Sequence, residues 1–410
     1  MTYLKRNIEK LIKAEAKYFY ALVLIGPRRV GKTTTVRKIA KSIHPQFRYV
    51  TLKDLEARKL ALTSPDLFFK QNPPPVIVDE IQYAPELFWY VRSVIDRGAP
   101  PMSFWLIGSQ SYGLRQRAKE SLAGRALVIT MMWLSTREIL GMSESPPFPV
   151  SGTTLQKRVE TSPPMEHDSL FEHIWKGSMP GFRNGKCADK ELFYNNYLNS
   201  SIRFESKELA RNIPTETFLR FLHVVAYTVG ELLNVHKIAV QIGITDDTTR
   251  RMLSFLEQMG IIFILTPFTD DFLKRSISTP KVYFTDMGLL SYLTKHSTPQ
   301  ALQNSALSEA IVKNYVISEI LKNCANSDKP YSVSFYRDKD GNEIDLILKM
   351  EDKLHPIQIT LSDSKVPSKM KVFQKIDVCT IRRGEGIVIC TANTLSQPDA
   401  DTTILPIRAV

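Results

Sequence analysis

Cysteine is scarce in this chain: four in 410 residues, Cys187, Cys324, Cys379 and Cys390. None forms a C-x-x-C pair, so the spacing offers neither a zinc site nor a disulfide framework. The four read as reduced structural thiols. No apolar run approaches the ~20 residues needed to span a bilayer. Residues 1–17 alternate charged and apolar side chains like a short amphipathic helix. They lack the apolar core and small-residue cleavage site of a secretory signal, so the cytoplasm is the expected location. Acidic charge is also short: 42 Asp and Glu face 54 Lys and Arg, a net of +12. That balance favours polyanions without choosing among DNA, RNA and nucleotides. Hydrophobic content of 43% and charged content of 23% are those of a soluble globular chain with room for two or three domains.

Gly26-Pro27-Arg28-Arg29-Val30-Gly31-Lys32-Thr33 has the pattern G-x-x-x-x-G-K-[ST]. It follows an apolar run, Ala21 to Ile25, that reads as a buried strand. It precedes a helix starting at Lys32 with Val36, Ile39, Ala40 and Ile43 on one face. In that setting the loop turns backbone N–H groups inward to make a nest for phosphate oxygens. The following helix adds its positive dipole end, and Thr34 extends the contact set. Gly26 and Gly31 permit the tight path. Lys32 is expected to reach the β- and γ-phosphates and Thr33 to hold Mg²⁺. A nucleoside triphosphate is the expected ligand.

Further strand-like runs follow at 48–52, 75–79, 103–107 and 126–130, with helical stretches between them, including 86–96. The alternation predicts a parallel sheet with helices on both faces. Val76-Ile77-Val78-Asp79-Glu80 ends in two acids at the edge where such sheets bind ligands. Asp79 is placed to join the Mg²⁺ shell, directly or through water. Glu80 is placed to orient and deprotonate an attacking water. Ser109 or Gln110, after the next strand, either hydrogen-bonds the γ-phosphate or the water, or belongs to a plain glycine turn. Arg125 either stabilises transition-state charge, in cis or from a neighbouring subunit, or caps a strand.

The series GPRRVGKTT, VIVDEIQYAPELF, LIGSQSYGL and ESLAGRALVITMMWLSTREI resembles a bacterial and archaeal family of AAA-type ATPases joined to a C-terminal domain of uncharacterised function. Later stretches support the resemblance: Gly177 to Gly181, Tyr283 to Leu289 and Phe335 to Asp345. It implies ATP as the nucleotide, Walker-type roles for Lys32, Thr33, Asp79 and Glu80, a sensor role near Ser109 and a finger role for Arg125.

The expected organisation is an α/β P-loop NTPase domain over 1–140, a Ser/Pro-rich linker over 141–168, a helical winged-helix region over 169–300 and a small α/β domain over 301–410. The linker reads as unable to build a core. In the third segment, a helix over 234–242, a turn at Gly243, a helix capped by Thr245 or Asp246 and a strand over 261–265 make a winged-helix pattern. Met252, Phe255, Leu256 and Met259 form its apolar stripe. A recognition helix would offer Thr248, Thr249, Arg250 and Arg251 to DNA. Alternatively, the module packs as a lid or scaffold.

The last segment reads as helix, β-meander, helix, strand, and resembles the core of restriction-endonuclease-type nucleases. Those need a helix Glu, a strand Asp and E-x-K on the next strand. Glu309 and Asp345 match, but Gln358 and Thr360 stand where Glu and Lys are wanted. A neutral amide is a poor ligand for a hard cation, and Thr360 carries no charge. Metal-dependent cleavage is therefore not expected. The leading expectation is an Mg-dependent ATPase coupled to these modules, acting on DNA or a protein partner, with no membrane and as a possible homo-oligomer. Its rivals are a non-catalytic ATP-dependent binding protein and a small-molecule kinase.

Overall fold

The computed structural model describes every residue except 1–2, 44–45, 110–111, 143–147, 149–151, 186, 203–212, 271–272, 274–276, 328–329 and 363–364. The chain divides into two units, Met1–Glu144 with Gln258–Gly260, and Ser145–Glu257 with Ile261–Val410. Among the described residues no helix is long and apolar enough to cross a membrane.

Five strands organise the first unit: β1 (Ala21–Gly26), β2 (Arg48–Thr51), β3 (Val76–Asp79), β4 (Phe104–Ser109) and β5 (Ala126–Thr130). All pair in parallel, in the order β2-β3-β4-β1-β5. A parallel sheet covered on both faces must be apolar along whole strands rather than at alternate positions. β1, β3 and β4 are accordingly buried at every residue. Val23, Phe68, Val78, Phe88, Phe104 and Leu106 join one core. The order sets β4 between β1 and β3, with Gly26 beside Ser109 and Ile107 beside Asp79. Three strands therefore end together at the edge where ligands bind in such sheets.

The second unit begins with helices. Thr215–Tyr227, Val235–Ile242 and Asp246–Gln258 precede an antiparallel pair, β6 (Ile262–Leu265) and β7 (Lys281–Phe284). Asn234 caps the middle helix by accepting from the Lys237 N–H, and Gly243 closes it at φ 82°. Thr245 accepts from the Thr248 N–H and so caps the next. Met252, Phe255 and Leu256 are buried, as the spacing predicts. Thr249, expected to face outward, is fully buried and donates to the Thr245 carbonyl at 3.1 Å. It shares the stripe of Met252, Leu253 and Leu256, and the apolar face wins.

Helix Ser308–Ala325 then leads to a meander, β8 (Ser332–Arg337), β9 (Glu343–Met350) and β10 (Lys353–Ile359). β11 (Gly386–Cys390), β12 (Ser396–Asp399) and β13 (Thr402–Pro406) complete a six-stranded sheet in the order β12-β13-β11-β10-β9-β8. The last two strands are not among those expected from the sequence.

The stretch 141–168 is only partly a linker. Helix Thr153–Thr161 lies in it, with Leu155, Arg158 and Val159 buried. Arg158 donates to the Ala409 carbonyl and to Asn323 Oδ1. The i, i+3, i+4 spacing of those residues gives an inward face that the prolines on both sides conceal.

The motifs around Ser178 and Asp286 form a packing joint. A Cβ on Gly288 would lie 2.0 Å from the Tyr194 hydroxyl and 2.9 Å from Gly177 Cα, so only glycine permits this approach. Asp286 is buried and accepts from the Ser178 N–H and hydroxyl, the Tyr194 hydroxyl and the Leu289 N–H. Beside it Lys190 donates to Ser291 Oγ at 2.6 Å and lies 4.0 Å from the Trp175 ring centroid. Burial pushes its amine down to about 7, against the charges of Asp286 and Glu191.

The unfolded chain keeps that proton up to the ordinary lysine value of 10.5, so folding releases a proton between about pH 7 and 10.5. Stability should therefore rise with pH across this window, by at most about 1.4 kcal/mol per unit from this group. Denaturant titrations at successive pH values should show Lys190→Met losing that slope. An unchanged slope would remove Lys190 as its source.

Candidate functional site

β1 stays apolar to Gly26, where a Cβ would lie 2.2 Å from the Met131 carbonyl oxygen. The Met131 N–H donates to the Ile25 carbonyl at 2.7 Å and fixes that approach. Pro27, Arg28, Arg29 and Val30 carry the chain around, with Arg29 at φ 63° and Gly31 at φ 103°. Helix Lys32–Ile43 then starts. The Lys32 ammonium is buried and donates to the Gly26 and Pro27 carbonyls, both at 2.8 Å. It therefore sits inside its own loop, at the positive end of the helix.

Thr33 Oγ1 donates to Asp79 Oδ2 at 2.7 Å, and the Tyr49 hydroxyl donates to the same oxygen at 2.8 Å. The other Asp79 oxygen accepts from the Glu80 N–H. The two groups expected to hold Mg²⁺ thus meet across the gap between the loop and β3. Both are hard oxygen donors, which suits that ion.

Glu80 adopts the left-handed conformation, φ 61° and ψ 45°, at a cost of roughly 1–2 kcal/mol for a residue with a Cβ. Its carboxylate pairs with Lys53 Nζ at 2.5 Å and accepts from Gln82 Nε2. Burial alone would raise its pKa. The hydrogen bonds from Lys53 and Gln82, with the charges of Lys53 and Lys32, outweigh that and hold the carboxyl below its ordinary 4.5. Gln82 also accepts from the Ser109 N–H at 3.1 Å and lies 3.4 Å from Ser109 Oγ. Glu80 and Ser109 are thereby joined through one amide side chain. Gln110 lies outside the described residues.

Arg125 is placed elsewhere. It immediately precedes β5, whose first residue pairs with Ala21, so it stands at the sheet edge opposite the phosphate loop. Its guanidinium donates to Asp96 and to the Ala123 carbonyl. A cis finger role is not compatible with this position. The SLAGR stretch reads as a strand entry, and strand direction sends that end away from the loop.

Four contributors escaped the sequence reading: Tyr49, Lys53, Gln82 and Arg6. Tyr49 lies within β2, and Lys53 lies two residues beyond its end. Gln82 lies two residues past Glu80, and that spacing was its only signal. Arg6 is buried and donates to the Val30 carbonyl at 2.9 Å, the Met132 carbonyl at 2.6 Å and Glu138 Oε1 at 3.2 Å. It ties the loop to the segment that follows β5.

In the second unit, Glu309 and Asp345 are brought together around Lys313. The Lys313 ammonium lies 2.8 Å from Asp345 Oδ1 and 3.8 Å from Glu309 Oε1. Burial would lower its pKa, but the Asp345 charge and hydrogen bond outweigh that and raise it. Asp345 Oδ2 accepts from the Ile359 N–H at 2.9 Å. Gln358 donates to the Glu343 carbonyl, and its own oxygen is buried with no hydrogen-bond partner among the described residues. Thr360 turns to Ser362. Among the described residues no cluster of three or more His, Cys, Asp or Glu side chains is arranged to hold a metal.

A parallel sheet in this order, a glycine-lysine loop after β1 and an Asp at the end of β3 define a P-loop NTPase fold. Residues 18–140 match the AAA domain family. Residues 167–300 and 308–410 match two domains of unknown function, DUF8612 and DUF4143. The chain is 26% identical over 340 residues to uncharacterized proteins of Mycobacterium bovis and Mycobacterium tuberculosis, spanning 82% of this chain and 69% of each relative. It is similar in structure to a Walker-type ATPase of Pyrococcus abyssi, with 14% identity, a TM-score of 0.43 and coverage of 71% of this chain and 96% of that one. It is also similar to the Thermotoga maritima RuvB Holliday junction branch migration motor, with 15% identity, a TM-score of 0.31 and coverage of 63% and 86%. These likenesses are distant, and the fold assignment stands on the sheet and the loop.

Removing Arg6 leaves Glu138 buried without its counter-charge, held among the described residues only by the Asn7 and Ser135 N–H groups, and frees the loop carbonyl. Arg6→Ala should cost about 3–5 kcal/mol in denaturant unfolding. Arg6→Met with Glu138→Met should recover part of that stability, the remainder being lost with the acceptor that Glu138 supplies to the Asn7 and Ser135 N–H groups. A double variant no more stable than Arg6→Ala would mean the pair does not act as a unit.

Proposed function

We propose that the first unit binds ATP with Mg²⁺ and hydrolyses it. The observation that carries this reading is the meeting of Thr33 and Asp79 beside Lys32. In this reading Lys32 leaves the two loop carbonyls for the β- and γ-phosphate oxygens. Thr33 and Asp79 hold Mg²⁺, which supplies neutralising charge when bound. The loop amides and the helix dipole orient the phosphates. Glu80, ionised through the neutral range, orients the attacking water and takes its proton once Lys53 releases it. Ser109 and Gln82 fix that carboxylate's surroundings. Any part for Arg125 lies in a neighbouring chain's site.

The second unit is proposed as the output. Its helix-turn-helix and β6–β7 pair act as a winged-helix lid, and its six-stranded sheet is a nuclease-like scaffold that binds nucleic acid or protein without cutting. Lys313 supports that reading, because its ammonium takes the place between Glu309 and Asp345 that a divalent cation would need. A second reading, an ATP-held binding protein without turnover, is favoured by one feature: Glu80 is engaged by Lys53.

Phosphate release should vanish in Lys32→Ala and fall about 10²-fold or more in Glu80→Gln. Equal rates for the wild type and Glu80→Gln would leave the binding-only reading. Lys53→Met removes the largest interaction holding the Glu80 carboxyl down. The acid limb of the pH–rate profile should then move upward, toward 4.5, and the neutral-pH rate should rise severalfold. An unmoved limb would exclude Glu80 as the titrating base. Plasmid incubated with Mg²⁺ or Mn²⁺ should stay intact, and cleavage that Asp345→Ala abolishes would refute the inert-nuclease proposal.

A further inference from the structure

The positive charge of this chain is not spread along it. Residues 1–144 hold 23 Lys and Arg against 12 Asp and Glu, whereas residues 145–410 hold 31 against 30. So +11 of the net +12 belongs to the ATPase-like unit. The helix-turn-helix is a poor place for a polyanion. Asp246 and Asp247 occupy the first turn of its second helix, Arg251 pairs with Asp247, and Thr249 is buried.

Helix Lys32–Ile43 is the opposite case, with four basic residues and no acidic one. Lys32 turns into the loop. Arg37, Lys38 and Lys41 are exposed and, with Thr33 and Thr34, line a surface hollow of about 360 Å³. Among the described residues none of these three cations pairs with a carboxylate. Other basic residues of the unit do, as in Arg92 with Asp96, Arg117 with Glu86 and Arg125 with Asp96. Arg37 and Lys38 lie on aromatic rings instead. The Arg37 guanidinium is 4.8 Å from the Tyr49 ring centroid, and Lys38 Nζ is 3.8 Å from that of Tyr3. Both rings are anchored. Tyr49 donates to Asp79, and Tyr3 donates to Glu9 Oε1 at 2.7 Å, while its hydroxyl oxygen lies 3.2 Å from the Thr35 hydroxyl, which can donate to it. Cations held over fixed rings keep their full charge for an outside anion and lose little freedom in binding it.

We propose that this face binds the phosphodiester backbone of a nucleic-acid strand. Arg37, Lys38 and Lys41 take the phosphates, Thr34 offers its hydroxyl, and Tyr3 and Tyr49 edge the track with ring surface for sugar or base. Interleaved cations and aromatic rings are what single strands require, since every base has a face to stack. An acidic polypeptide would use the charge but not the rings. The contact adjoins the phosphate loop through Thr33 and Thr34, so strand and nucleotide meet on one helix.

The test is anisotropy of a labelled single-stranded oligonucleotide, and of the duplex, titrated with the full chain at several salt concentrations. Affinity should fall steeply with salt. Lys38→Ala with Lys41→Ala should weaken binding about tenfold or more and reduce the logarithmic salt slope by about 1–2. Lys38→Arg with Lys41→Arg should restore both. Binding of a fluorescent ATP analogue and the thermal melt, measured on the same variants, report folding independently. Arg250→Ala with Arg251→Ala should leave strand binding unchanged. The proposal fails if no oligonucleotide binds, if the Lys38 and Lys41 pair is without effect, or if loss follows Arg250 and Arg251. It also fails if polyglutamate binds this face and oligonucleotides do not, which would assign it to an acidic protein partner.

Discussion

The hydrogen bond from Thr33 to Asp79 joins the first turn of a helix to the end of a strand two places away in the sheet. Its net energy is modest, roughly 0.5–1.5 kcal/mol. Its importance lies in where it can form. The loop must leave β1 at Gly26, where the Met131 carbonyl leaves no room for a side chain. β4 must lie between β1 and β3, so that Gly26, Ser109 and Asp79 end at one edge. Arg6 must hold the Val30 carbonyl. Each is a requirement on a different part of the first 138 residues, and the Thr33–Asp79 contact satisfies them together.

Glu80 shows how the same edge can be both assembled and restrained. Its left-handed backbone costs at least as much as its ion pair with Lys53 returns. Lys53 is 62% exposed, and a pair open to solvent on one side is worth about 1 kcal/mol or less. A contact that weak can open when a phosphate group arrives with stronger claims on nearby cations. Gln82 is better placed to persist, because it bridges Glu80 to the backbone and hydroxyl of Ser109.

The sequence made the first unit legible because a buried parallel sheet writes itself as unbroken apolar runs, and a phosphate loop as a fixed glycine spacing. The five strands and the placing of Lys32, Thr33, Asp79 and Glu80 follow from those two signals. Arg125 did not, since its motif records a strand entry but not which edge the entry faces. Lys53 and Tyr49 carry no pattern, as their roles depend on β2 lying beside β3. In the second unit, the helix within 141–168 was hidden by its prolines, and Thr249 was assigned outward from its place in a helix when phase with Met252 and Leu256 puts it inward. β12 and β13 escaped because β12 is exposed throughout and offers no apolar signal.

Lys313 is the most instructive of the unforeseen residues. Glu309 and Asp345, viewed as sequence, suggest a pair of ligands waiting for a cation. In the fold they already have one, a side chain four residues along the same helix as Glu309, and the charge and hydrogen bond of Asp345 keep it protonated against its burial. Two carboxylates facing each other with nothing between would repel. A lysine there removes the repulsion without a metal. Gln358 suits the same arrangement, because a third carboxylate would bring the negative charges back into excess. Gln358 and Lys313 thus act in the same sense: one adds no negative charge beside Asp345, and the other brings a positive charge to it from within the chain.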